Sequence, residues 1–293
     1  MLTEVAGLTN FFASMPYGDE WRAHRRMFQQ HFSEKNLLRI RETEIDIIRK
    51  GLLLNLYQSP DEFDAHVRNC VGGLSISLTY GLPIERHHDP LVQYTENALV
   101  HGAAASAPVK YFVNIIPQLK YIPEWRMPGA HFKRVGRLVR EELTELEEKP
   151  YQKSLDLIEA GATHRESFIS VTLERHCNKP NFELQARCAK ETAVQVFAAA
   201  SETTVASTLT FILAMLKYPD VQRLAQEGVD SVVGPDRLPE FEDISRLHYV
   251  SAVIKEVLRW NPVLPAGVPH FASDEDSYRD YYISKDCIII ANA

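Results

Sequence analysis

An acid and a hydroxyl stand side by side at Glu202 and Thr203, directly after the small residues Ala199-Ala200-Ser201, in a stretch that is otherwise largely apolar. Small side chains let a flat ligand approach a helix backbone, and the pair can relay protons or let the helix open locally around a water. The structural alternative is that Ala and Thr pack closely against neighbouring helices while Glu202 finds an arginine. Nearer the N-terminus, Trp21 and Arg25 fall four residues apart on one helix face. There an indole N–H and a guanidinium can both donate to a carboxylate. The alternative there is a basic face with the indole tucked into the core, and Arg22 with Arg26 makes a separate basic face. Towards the C-terminus Glu256 and Arg259 stand at i and i+3, ahead of Asn261-Pro262, Leu264-Pro265 and Pro269-His270. Such pairs are mostly solvated helix salt bridges of small energetic value, so the proline spacing is the more informative feature.

Residues so placed need a helical body to hold them. Steps of three and four between Leu247, Val250, Val253, Ile254, Val257 and Leu258 predict an amphipathic helix over 247–258. Further helices are expected over 20–31, 37–57, 64–79, 90–102, 131–146, 165–175, 183–216 and 219–232. Breakers mark connectors at Gly81-Leu82-Pro83, Ile122-Pro123, Met127-Pro128-Gly129, Lys179-Pro180 and Gly234-Pro235, none with the composition of a flexible interdomain linker. The stretch 193–216 has nearly the length of a bilayer span, with Glu202 its one charge. Gln195, Ser201, Thr203, Thr204, Ser207, Thr208 and Thr210 make it too polar, and a buried central helix is expected instead. At the C-terminal end Tyr281-Tyr282-Ile283 and Cys287-Ile288-Ile289-Ile290 flank Ser284-Lys285-Asp286 and predict a hairpin, with Cys287 a buried core residue. Val263 to Phe271, broken by Pro265 and Pro269, is expected to be an edge or irregular strand. The fold class is therefore mainly α with a small β portion, without internal repeats.

The 293 residues are 45% hydrophobic and 24% charged, which is the composition of a globular chain with a sizeable core. A formal charge of -7 without a basic tail argues against nucleic acid as a partner and favours small molecules. Cys70, Cys177, Cys188 and Cys287 are scattered with no zinc-ligand spacing, and no Asn-x-Ser/Thr acceptor or signal peptide points to secretion. Gly-x-Ser-x-Gly, His-Glu-x-x-His and Gly-x-Gly-x-x-Gly are all absent, which disfavours a hydrolase or metal enzyme.

Taken in chain order, the three segments resemble the cytochrome P450 family, the haem-thiolate monooxygenases, and their joint match is far more specific than any one of them. The family signatures are a Trp-x-x-x-Arg helix, a central helix bearing Ala/Gly-Gly-x-Asp/Glu-Thr, and a Glu-x-x-Arg helix followed by spaced prolines and a basic residue. They stand here as Trp21 to Arg25, Ala199 to Thr203, and Glu256 to Arg259 with Pro262, Pro265 and His270. Tyr121-Ile122-Pro123-Glu124-Trp125 and Tyr218-Pro219-Asp220-Val221-Gln222 look like fungal members, and the resemblance covers essentially the whole chain. Ala200 replaces the usual Gly, adding a methyl near the oxygen site, which implies tuning. The family's haem loop, Phe-x-x-Gly-x-Arg-x-Cys-x-Gly, does not occur in the 293 residues, so no axial cysteine and no other metal ligand is expected. The chain resembles a middle fragment, a single partial domain over 1–293 without N-terminal anchor or haem loop.

What the resemblance implies is a haem-dependent insertion of one oxygen atom from O2 into an apolar small molecule, with electrons from an NADPH-dependent flavoprotein reductase. Trp21, Arg25 and His270 would hold the haem propionates, Ala199 and Ala200 would lie against the haem, and Glu202 with Thr203 would serve oxygen activation. Val194, Phe197, Ala198, Val263, Leu264, Ala266, Gly267 and Val268 would face the substrate, while Glu256 and Arg259 would be structural. Intact relatives sit on the endoplasmic reticulum through an N-terminal helix; this chain contains no transmembrane segment on this reading, and its own location stays open. Without the thiolate, haem retention and activity of the chain alone are expected to be poor, and the strands near 263–271 and 287–290 are expected to lack partners. The alternative is a non-catalytic helical remnant that binds an apolar ligand or the reductase.

Overall fold

The computed structural model describes residues 6–7, 11–85, 87–107, 110–114, 116–123, 131–163 and 165–292. The expected connector Met127-Pro128-Gly129 and the Glu124-Trp125 end of the fungal-like segment lie outside the described residues. Among the described residues there are ten α-helices and four short strands, divided into two compact units, Met1–Glu202 and Thr203–Ala293.

In the first unit, α1 (Asp19–His31) opens on Asp19 and Glu20 and closes on His31, charges that complement the helix dipole, and it buries His24 and Met27. The helix expected over 37–57 is instead α2 (Glu34–Ile47), a π-helical stretch (Ile48–Leu53) and α3 (Leu54–Gln58). Next, α4 (Phe63–Tyr80) ends at Gly81, whose φ of +71° is strained for any side chain and whose absent Cβ would lie 3.2 Å from Ser167. Gly72 in the middle of α4 lets α5 (Pro90–Ser106) approach closely, since a Cβ there would come within 2.7 Å of Val92. Asp89 caps α5 by accepting from the Leu91 and Val92 amides, with Pro90 in the first turn.

The helix expected to stop near Leu146 runs on as α6 (His131–Glu159), with Pro150 inside it. A proline there removes one backbone hydrogen bond and its ring crowds the preceding turn, which costs roughly 3 kcal/mol. Packing outweighs that loss, because Leu146 is fully buried on one side of the proline and buried Ser154 on the other donates to the Tyr80 carbonyl at 2.7 Å. Ser167 and Ser170 form a reciprocal capping box for α7 (Phe168–His176). The first part of α8 (Phe182–Lys217) then enters the main interior of this unit, where Ala193, Val194 and Phe197 join Ile76, Tyr80 and Phe168. A second interior cluster gathers Tyr111, Val113, Phe132, Val139 and Leu143.

The second unit holds the rest of α8, then α9 (Pro219–Val233) and α10 (His248–Trp260), around a small core of Ala214, Met215, Val253 and Val257. Arg237 Nη1 and Nη2 donate to Asp243 at 2.6 and 2.8 Å, and Arg246 adds a third bond. Those arginines hold the Asp243 carboxyl well below its ordinary range. Asn261, capping α10, donates to Thr210 at 3.1 Å.

The strands correct three expectations. Tyr281-Tyr282-Ile283 does not pair with Cys287–Ile290; β2 (Asp276–Tyr278) pairs with β3 (Tyr281–Ile283) about the turn at Arg279-Asp280. Arg279 takes a positive φ there, so the tighter turn lies one strand earlier than the sequence suggests. The ends 263–271 and 287–290 are not partnerless, because β1 (His270–Phe271) and β4 (Ile288–Ile289) pair antiparallel with each other. Cys287 is half-buried, not a core residue, and Ile288 to Ile290 are exposed.

Candidate active site

The central helix brings part of the sequence-derived constellation together in the first unit. On α8, Val194, Phe197 and Ala198 are buried, Ala199 is exposed, Ala200 is half-buried, and Glu202 closes the unit. Phe197 packs edge-on against Tyr80 with ring centroids 6.0 Å apart, and Val194 also lines a 250 Å³ cavity with Gly7, Phe11, Leu143 and Gln195. Glu202 has found an arginine: its Oε1 lies 3.9 Å from Nη1 of half-buried Arg68 on α4. By length and composition α8 is the one helix among the described residues that could cross a membrane. Its N-terminal part packs as a core helix, but Phe211, Leu213 and Leu216 are exposed, so it is not the buried helix expected along its whole length.

Trp21 and Arg25 share a face of α1. The indole is half-buried 5.3 Å from the Tyr17 ring, and the exposed guanidinium lies over Phe28. Among the described residues neither donor has a hydrogen-bond or ion-pair partner, whereas Arg22 is tied to Asp19 at 2.5 Å. Two uncommitted donors one helical turn apart fit the anionic propionates of a haem. The cysteines of this unit offer its iron no comparable ligand. Burial pushes the Cys70 thiol up to about 11, Cys188 is buried against His24, and Cys177 is exposed at the end of α7.

Sequence reasoning missed His24, Arg68 and Glu96. His24 is buried between α1 and α8, its Nδ1 2.8 Å from Thr192 Oγ1 and 3.5 Å from Cys188 Sγ, its Nε2 3.4 Å from Glu191. Burial by itself would lower its pKa, but the contacts with Cys188 and Glu191 outweigh that and raise it to about 9. The available signal was its step of three from Trp21, which puts a polar side chain on the face that Met27 also uses. Arg68 and Glu96 carried no signal beyond an ordinary i, i+4 pairing of Arg68 with Asp64.

The remaining candidates belong to the second unit. Thr203 is half-buried, and its carbonyl accepts from Ser207 Oγ at 2.9 Å. Arg259 grips Glu256 with two bonds of 2.8 and 2.7 Å, both side chains exposed. His270 is exposed on β1, opposite Ile289. Val263, Leu264, Ala266, Gly267 and Val268 form no strand; they make a turn in which the Gly267 amide donates to the Leu264 carbonyl, with Leu264, Ala266 and Val268 exposed.

Comparison with known proteins adds an independent line. The family model for cytochrome P450 matches residues 7–293. A cytochrome P450 monooxygenase of Rhodocybe pseudopiperita is 39% identical over 99% of this chain and 54% of its own length. One from Armillaria gallica is 37% identical over 100% of this chain and 57% of its own. Tryptamine 4-monooxygenase of Psilocybe cyanescens is 34% identical over 100% of this chain and 57% of its own. The chain spans about half the length of these curated relatives.

Proposed function

The chain belongs to the cytochrome P450 family, and on that premise we propose that it is part of a haem-dependent monooxygenase. The reaction inserts one atom of O2 into an apolar organic substrate, with electrons from an NADPH-dependent flavoprotein reductase at the endoplasmic reticulum membrane. The observation that carries this reading is Glu202 beside Thr203, after Ala198-Ala199-Ala200-Ser201 on α8, with the acid 3.9 Å from the half-buried Arg68 guanidinium. Haem supplies the activation of O2 when bound. The residues supply its surroundings. Trp21 and Arg25 would donate to its propionates, with His270 a third candidate donor. Ala199 and Ala200 leave room for a flat group beside the helix. Glu202 holds or passes a proton at its carboxylate, with the Thr203 hydroxyl as the neighbouring donor. Val194, Phe197, Ala198 and the 263–268 turn are the apolar candidates for substrate contact. The domain organisation proposed is one P450 domain that includes both compact units.

An antibody raised against this chain allows the native protein to be isolated from its source and its reduced carbon monoxide complex recorded. A thiolate-type spectrum is expected; a protein that carries no haem would sink the proposal and leave the ligand-binding or reductase-binding remnant. Arg22 and Arg26 are proposed to help dock the reductase, and charge reversal at both should weaken reductase affinity. Unchanged affinity removes that role.

A further inference from the structure

Arg68 stands among three carboxylates contributed by three helices of the first unit. Asp64 Oδ2, one turn earlier on α4, lies 3.0 Å from its Nε; Glu96 Oε1 of α5 and Glu202 Oε1 of α8 lie 3.6 and 3.9 Å from the same Nη1. A guanidinium keeps its charge at every relevant pH and has donors in a fixed fork, so it cannot serve all three acids equally. Asp64 takes the Nε–H at hydrogen-bond length. The two glutamates both approach Nη1, and neither sits at full hydrogen-bond length, so a small swing of the fork brings it to one at the expense of the other.

We propose that Arg68 and Glu96 are positioning residues for Glu202: the glutamates share one guanidinium nitrogen, and the charge on Glu96 sets how firmly Arg68 holds the Glu202 carboxylate. This rests on the reading of Glu202 as the proton-passing acid. With Glu96 protonated, Arg68 turns to Glu202 and fixes its carboxylate. With Glu96 ionised, Arg68 is drawn to α5, and the Glu202 side chain is freer to rotate. Among the described residues the charged groups facing this guanidinium are Asp64, Glu96 and Glu202. Burial holds the Glu96 carboxyl above its ordinary range; Arg68 works against burial, and the Glu202 and Asp64 charges add to it. Glu96 thus feels both the guanidinium and the other two carboxylates.

Coupling between two sites is reciprocal, so the titration of Glu96 reports it without any bound cofactor. The experiment is carboxyl-carbon NMR of glutamate-labelled chain, with the Glu96 signal assigned by Glu96→Gln and the midpoint followed in Glu202→Gln, Arg68→Met and the double variant. Glu202→Gln should lower the Glu96 midpoint by about half to one pH unit, and Arg68→Met should raise it. In the double variant the effect of Glu202→Gln should shrink to less than half, because the shared nitrogen is gone. A shift of equal size in the Arg68→Met background would reduce the relation to plain repulsion and overturn the proposal, as would a Glu96 midpoint indifferent to Arg68→Met in a chain of unchanged helix content. Arg68→Gln serves the same purpose should Arg68→Met fail to fold. The relay itself is tested apart, by the solvent deuterium effect on oxygen consumption of the haem-loaded protein carrying Glu202→Gln. An unchanged effect sinks the relay and leaves the shared nitrogen standing, whereas a changed effect with no Glu96 coupling does the reverse.

Discussion

The two units hold their residues in different ways. In the first, side chains far apart in sequence interlock: Tyr80, Phe168 and Phe197 from three helices are all essentially sealed from solvent, and His24 and Arg68 reach partners on other helices. In the second, the core cluster has four members, and most of the polar order is local, as in Glu256–Arg259 and Asp243–Arg246. Its strands leave Phe271 70% and Tyr281 75% exposed. Tertiary packing thus fixes geometry in one unit, and short-range bonds fix it in the other. The candidate acid Glu202 is held from the first unit, whereas Thr203 next to it is counted with the second.

The largest expected effect breaks the better-packed side. Phe197→Ala should cost about 3–5 kcal/mol by emptying a sealed aromatic site against Tyr80. Val257→Ala in the small core should cost about 1–2 kcal/mol for two methyl groups. Denaturant unfolding of both variants checks the contrast, and equal losses would erase it. Next comes Gly72→Ala, expected to cost about 1–3 kcal/mol because the new methyl meets Val92 with no room to relax between α4 and α5.

A pH series sharpens the same comparison. The pKa of His24 is raised in the folded chain, so its contribution is complete below 6.5 and is lost as pH rises through about 9. Melting curves of the first unit should therefore soften between neutral pH and pH of about 10, and His24→Gln should flatten that dependence. A wild-type melt that is insensitive across this window would mean the buried imidazole stays neutral. The smallest effect is expected at Glu256→Gln in the second unit. Both partners of that pair face water, and the melting temperature of the chain should barely move. A large drop would show that the pair supports more than its own helix.

Some of this was legible before any coordinates. Helix positions followed from apolar spacing, and α1, α4, α5, α9 and α10 begin and end within a few residues of expectation. The long continuation of α6 through Pro150 was not legible, because a proline reads locally as a stop, whereas the packing of Leu146, Leu155 and Ile158 and the Ser154 bond to Tyr80 are made with other helices. The hairpin was misjudged because Ser284-Lys285-Asp286 is the more polar turn, yet Arg279 accepts the positive φ and strand pairing is a non-local choice. Of the site, Trp21, Arg25, Glu202 and Thr203 were readable from residue type and spacing. Arg68 and Glu96 were not, since nothing in their sequence neighbours marks a partner on another helix.

The sequence by itself determined the helical character, the order of the three signature segments and the family to which they belong, because periodicity and motif spacing are written along the chain. The tertiary structure alone decided which arginine meets Glu202, which groups surround His24 and which strands pair. Those outcomes depend on distances and burial between elements, and a linear chain does not encode them one residue at a time.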